Sequence, residues 1–236
     1  LIRDGHEFRP TREGRELIDD ARSIVELHDR AAGRLATSGL AGTVRLGSNE
    51  EVDAAIMAEV LGGFRARHPG AEIEFLVEHT EQLETAIDAG DLDVALLQVL
   101  DEDLRDDDVV LWSDRLCWMT NAAVPYDTGV VPLVTFGEHC FYRRASEPTL
   151  VDASIEHRVA FSASSIGGVR AAIDAGLGVG VLASRHLGGD VVRWRVGDEL
   201  PELPVIHQIA RTVPGETPDT AAMLIDALVA GVGVGV

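Results

Sequence analysis

Hydroxyls, amides and carboxylates at the ends of short apolar runs are the groups in this chain best placed to do chemistry. Thr43 to Glu51 reads as a strand, with Val44 and Leu46 inward, that stops at Gly47 and turns through Ser48 and Asn49 into a helix. Such a turn aims free backbone N–H groups into the crevice beyond the strand end. Thr80 is expected to cap a second short helix, and Ser162-Ala163-Ser164-Ser165 closes another strand before a helix over 166–175. Ser48, Thr80, Ser164 and Ser165 are neutral hydrogen-bonding groups at helix starts, suited to a carboxylate or sulfate. Each also reads as a plain N-cap.

Covalent and metal chemistry find little support. No G-x-S-x-G elbow, H-E-x-x-H pair or P-loop is present, and the eight histidines are scattered. His139 and Cys140 adjoin along the chain, an arrangement that rarely gives nucleophile–base geometry. Cys117 and Cys140 are too few and too far apart for a disulfide framework or a metal knuckle and read as two reduced, partly buried thiols. Asp101 to Asp108 has seven charged residues in eight but no calcium-loop glycine, and reads as a solvated loop. Gly176, Gly178 and Gly180 follow a helix and open a strand, the reverse of a nucleotide loop; they read as a helix C-cap and close helix–strand packing. No catalytic residue, metal ligand or cofactor is expected.

The elements that must position these turns follow from composition and period. The 236 residues are 46% hydrophobic, which implies a globular chain with one large or two small cores. No run approaches the ~20 apolar residues of a membrane span, and no signal peptide is visible. The chain begins at Leu1 rather than Met, as a fragment of a longer product would. Net charge is −20, and nearly all of the excess lies in residues 37–236, a body that repels phosphate backbones. In residues 43–99 strand and helix patterns alternate as β-α-β-α-β, with a helix face at Val52, Ile56, Val60 and Phe64 and a continuous apolar run at Asp93 to Val99. Val109 to Thr120 is too long for one ordinary strand and is expected to bend near Ser113-Asp114 and cross into a second lobe. Further strands are expected over 133–136, 157–161, 177–182, 191–196 and 205–210, the last crossing back, with a final helix from Pro218 or Asp219.

The N-terminal arm differs. From Thr11 a helix places Leu17, Ala21, Ile24, His28, Ala31 and Leu35 at alternating spacings of four and three, the seam of a two-helix coiled coil. A helix docked on its own domain is the competing reading. Residues 33–42 end it as a short hinge.

This order of elements resembles the LysR-type transcriptional regulators. Arg9-Pro10-Thr11-Arg12-Glu13-Gly14 is similar to the family's "LTxxG" entry into a linker helix, and Gly42 to Gly47 to its "GxLRIG". Phe64 to Pro69 is similar to "FxxxYP" with His68 for the usual Tyr, and Gly90 to Asp93 begins a match to "GxLDxAI". Ala175 to Leu182 resembles "AGxGIxxLP", with Ala183 where Pro is common. The resemblance implies an α/β fold of two Rossmann-like lobes with a cleft between them, periplasmic-binding-protein-like, preceded by a long N-terminal linker helix. It implies a wing remnant, dimerising helix and hinge in 1–42, a first lobe of 43–113 plus 205–236, and a second of 114–204. A winged helix-turn-helix, absent here apart from the end of its wing, would supply DNA contact.

Carried over by position, the family's cleft implies an effector site at Ser48, Asn49 and Glu50, at Thr80, at Gln98 and Val99, and at Ser164, Ser165 and Ile166, with Phe136 to His139 closing one side. If Glu50 or Glu51 points into it, the ligand is cationic or zwitterionic; if both only complement a helix dipole, an anion such as a carboxylate stays open. Arg143 and Arg144 either reach an anion or lie exposed. The implied function is small-molecule sensing in a cytoplasmic homodimer or homotetramer, without membrane association. An extracytoplasmic solute-binding protein of the same two-lobed shape is the alternative.

Overall fold

The computed structural model describes residues 2–4, 7–9, 11, 17, 42–126, 129–137, 140–213 and 219–232. Ile2–Asp4 (β1) and Glu7–Arg9 (β2) pair as an antiparallel hairpin. Leu17 is helical and 68% exposed, while Ala21, Ile24, His28, Ala31 and Leu35 of the expected seam lie outside the described residues.

Gly42–Ser48 (β3) buries Val44 and Leu46. The turn that follows is longer than its sequence suggests: Asp53, not Ser48 or Asn49, caps the helix Ala54–Arg67 (α1) by accepting from Ala55 N at 2.7 Å. Met57, Val60 and Phe64, at spacings of three and four, bury one face of α1. Ala71–Val77 (β4) pairs parallel with β3. The helix Thr80–Ala89 (α2) buries Leu83 and Ile87 and ends at Gly90, whose φ of 77° is the left-handed conformation a C-terminal glycine supplies cheaply. Thr80 does not cap α2: His79 holds the cap position without a side-chain bond, and Thr80 Oγ1 instead accepts from Gln98 N at 3.4 Å. Val94–Leu100 (β5) is buried at six of seven positions because both its faces are covered. Val94 and Leu96 pack toward α1, whereas Ala95, Leu97 and Val99 pack toward α2.

Val109–Asn121 (β6) runs unbroken for 13 residues. Its first half pairs with Val205–Thr212 (β11), which is antiparallel to β5 on its other side. Its second half pairs with Gly180–Ala183 (β9) and Val191–Arg193 (β10). The expected crossing is therefore made by one strand, and its ladder with β11 shifts register at Gln208 and Ile209, where β6 carries the extra residue, Leu111. The second core gathers the far half of β6, Val131–Thr135 (β7), β9, the helix Ile166–Asp174 (α4) and Trp194. His157–Ser162 (β8) pairs parallel with β7. The final helix Asp219–Val232 (α5) returns to the first core against α1. The result is a two-lobed α/β fold in which a curled sheet runs from one core into the other.

Several local expectations are corrected. The helix Phe141–Asp152 (α3) has no counterpart in the sequence reading. The strand after Gly176 begins only at Gly180, and β10 stops at Arg193, where Trp194 turns fully into the core. The acidic run is not solvated throughout: Asp108, with a side chain 1% exposed, holds Arg211 through both carboxylate oxygens.

The glycine series does serve packing. Gly176 has φ 70°, and a Cβ on Gly178 would lie 2.1 Å from the Pro132 carbonyl oxygen. Gly178→Ala is expected to cost about 3 kcal/mol, because backbone rather than a mobile side chain must yield. Gly62→Ala, inside α1 with nothing within 4 Å of the added methyl, is expected to gain about 1 kcal/mol. Urea unfolding midpoints of the two variants check both.

Candidate functional site

The strand ends of the first lobe face α3 and the start of α4 in the second. Between them lies a cavity of about 480 Å³. Of the positions expected there, Asn49, Glu50, Thr80, Gln98, Val99, Phe136, Ser164 and Ile166 line it. Ser48 and Ser165 do not. The Ser48 hydroxyl is buried and donates to Asn49 O at 2.9 Å, while Ser165 is the N-cap of α4, its Oγ accepting from Gly168 N at 3.1 Å.

Asn49 fixes the turn after β3. Its amide exchanges hydrogen bonds with the Gln208 amide on β11, at 3.3 and 3.2 Å, and its Oδ1 also accepts from Glu51 N. This orients two carboxylates differently. Glu50 reaches across to the second lobe, where its Oε2 accepts from Ile166 N at 3.1 Å, the first residue of α4. A carboxylate at a helix N-terminus is favoured by the free N–H groups and the helix dipole.

Glu51 turns inward, its side chain 1% exposed. The Tyr142 hydroxyl donates to Glu51 Oε1 at 2.7 Å and lies 3.0 Å from Gln98 Oε1; with one phenolic proton available, the shorter contact to the carboxylate takes it. His186 Nε2 lies 3.2 Å from Glu51 Oε2. Burial pushes the Glu51 carboxyl up, but the bonds from His186 and Tyr142, with electrostatic support from His186 and Arg185, outweigh it and hold it below the usual carboxylate range. Burial, then the charge of Glu51, pushes the Tyr142 phenol well above its ordinary value, so it remains a donor. Tyr142 also stacks on Phe136, with ring centroids 4.9 Å apart, and meets the Phe141 ring in a tilted contact at 4.3 Å.

Tyr142 and His186 are absent from the sequence-derived site. The buried series Tyr142, Ser146, Leu150 does have helical spacing, but polar Ser146 and the internal Pro148 mask it. Nothing local marks His186. Arg143 pairs with Glu147, and Arg144 is 63% exposed with Glu81 at 3.9 Å. Cys117 and Cys140 are both free thiols; Cys140 lines the cavity, its thiol raised in pKa by burial. Among the described residues no cluster of three or more His, Cys, Asp or Glu side chains is arranged to hold a metal. The arrangement suits reversible binding of a small polar molecule.

Glu51 also gives a pH dependence of defined sign. Its folded-state pKa is depressed, so its contribution to stability is complete above the unfolded value of about 4.3 and is lost as pH falls through the lower folded value. Glu51→Gln is expected to cost about 2 kcal/mol at pH 7, with the gap to the unsubstituted chain narrowing below about pH 4. Denaturant titrations at a series of pH values check it; a gap independent of pH would sink the assignment.

A protein-family model described as the LysR substrate binding domain matches residues 37–232. The HTH-type transcriptional regulator DgdR of Burkholderia cepacia is 25% identical over 197 residues, covering 83% of this chain and 66% of that protein. PecT of Dickeya dadantii, also an HTH-type transcriptional regulator, is 25% identical over 205 residues, covering 86% of this chain and 64% of its own length. The chain thus spans just under two thirds of the length of these relatives. Among solved structures, the regulatory domain of Synechocystis CcmR in complex with 2-PG superposes with TM-score 0.62 at 18% identity, covering 80% of this chain and 96% of that one. The effector-binding domain of QuiR in complex with shikimate superposes with TM-score 0.62 at 11% identity, covering 81% and 97%. With the family model spanning both lobes and the cavity between them, the chain belongs to the LysR substrate-binding-domain family.

Proposed function

We propose that this chain is the effector-sensing and dimerisation portion of a LysR-type transcriptional regulator, with lobes formed by residues 43–113 plus 205–236 and by 114–204. The observation that carries this reading is the 480 Å³ cavity walled by the ends of β3 and β5 and the start of α2 on one side and by α3 and α4 on the other. A cleft between lobes is where a bound molecule can bias their relative placement. The family match and two structural neighbours solved with small molecules support it.

In the full regulator a winged helix-turn-helix would contact DNA, leaving this acidic body away from the phosphates. Residues 11–35 would join subunits in a homodimer or homotetramer in the cytoplasm, and the cavity would bind without catalysis. The relatives are named transcriptional regulators, which favours this reading over a solute-binding protein. No helix among the described residues is long and apolar enough to cross a membrane.

Thermal unfolding of the chain against amino acids, amines, carboxylic acids and sugar acids tests the cavity. A ligand at one hundred times its Kd is expected to add about 2.7 kcal/mol. Ser164→Trp, at an exposed position on the cavity wall, is expected to abolish that gain while leaving the unliganded midpoint near its original value. A gain that survives the substitution places the ligand elsewhere. Light scattering at micromolar concentration is expected to show a dimer or larger; a monomer overturns the assembly.

A further inference from the structure

The charge of the cavity wall and the occupant of the α4 N-terminus limit what ligand this chain accepts. The first turn of α4 is the natural seat for a ligand anion on the second lobe, since its N–H groups face the cavity end of the helix. Two of its N–H groups are already taken by the protein. Ile166 N–H donates to Glu50 Oε2 at 3.1 Å, and Gly168 N–H donates to Ser165 Oγ at 3.1 Å. An acidic ligand would have to displace a carboxylate covalently tethered beside it.

The rest of the wall repels an anion too. Among the described residues, Glu50, Glu51, Glu78, Glu81, Glu84 and Asp103 line the cavity. Glu51 is committed to Tyr142 and His186, and Glu84 to the Arg211 guanidinium at 2.9 Å. Glu78 and Asp103 are exposed at its edge, and the facing basic side chains are Arg144 and His79. Arg144 itself lies 3.9 Å from Glu81. Phe136 and Phe141, both packed on the Tyr142 ring, supply an aromatic flank to the cavity, and aromatic π-systems attract cations.

Building on the cavity reading above, we propose that the effector carries an ammonium or guanidinium group, which sits between the Glu50 carboxylate and the Phe136–Phe141 flank, and that purely anionic acids are excluded. Glu50 then has two roles. It joins the lobes through Ile166 and it selects the ligand's charge, so a bound cation neutralises one of the two carboxylates that reach across the cavity.

The test is calorimetric titration and thermal unfolding of the 236-residue chain with agmatine and L-arginine as cationic probes, and shikimate and glutarate as anionic ones, at matched ionic strength. Cationic probes are expected to bind and raise the midpoint, while anionic probes leave it unchanged. Glu50→Gln, at an exposed position outside both cores, is expected to weaken agmatine about tenfold or more and to let glutarate bind. Binding of glutarate but not agmatine to the unsubstituted chain overturns the charge assignment and leaves the cavity standing. Equal agmatine affinity in Glu50→Gln removes Glu50 from the site. Silence from both classes at millimolar concentration counts against the cavity reading itself.

Discussion

A carboxylate withdrawn from water between two lobes sets the terms for the rest of this structure. Burying an isolated charge costs several kcal/mol, and the cost is recovered only where hydrogen bonds and opposite charge reach it. Glu51 belongs to the first lobe, and the partners that satisfy it, Tyr142 and His186, belong to the second. The lobes must therefore stand close enough for both contacts. Glu51 is in turn aimed by Asn49, which accepts its backbone N–H, and Asn49 is anchored to Gln208 of β11. The distance across the cavity thus rests on a short polar chain running from the central sheet to α3.

Other polar groups fix the frame around that chain. Arg211 on β11 is fully buried, holds Asp108 through both oxygens, reaches Glu84 on α2 and donates to Asp103 O. This ties the acidic loop and the α2 wall of the cavity to one strand. At the crossing, Asp114 of β6 accepts from the Ser184 hydroxyl and from Arg185, whose guanidinium lies over the Trp112 ring 4.5 Å from its centroid. Burial raises the Asp114 carboxyl, and those hydrogen bonds more than offset it, keeping it below the ordinary range. Ser184 and Arg185 begin the short 3-10 turn that carries His186, so the same contacts place the imidazole beside Glu51.

What the sequence discloses and what it hides divide along a physical line. Val94 to Val99 announces a strand buried on both faces because every residue but Gln98 is apolar, and Gly90 and Gly176 mark helix ends because only glycine is at ease at positive φ. These are local signals. The order of motifs located eight cavity residues because each lies at the end of a recognisable strand or helix. Ser48 and Ser165 show the limit of that reasoning, since a hydroxyl at a turn can satisfy the backbone beside it instead of a ligand. Helix α3 is not legible in the sequence because Arg143, Arg144, Ser146 and Pro148 blur its period. The Glu51–Tyr142 bond joins residues 91 apart, and no periodicity encodes a pairing at that range.

The unbroken course of β6 has a mechanical consequence. Two adjacent strands, β6 and β11, join the lobes, hydrogen-bonded to each other from Val109 to Arg115. Splaying such a ribbon in its own plane would break ladder bonds, whereas rotation along its length only alters a twist that sheets already carry. The connection is therefore stiff to in-plane bending and compliant in torsion. Relative movement of the lobes about this connection is easier as a rotation than as an in-plane bend, with the lobes themselves as the lever arms.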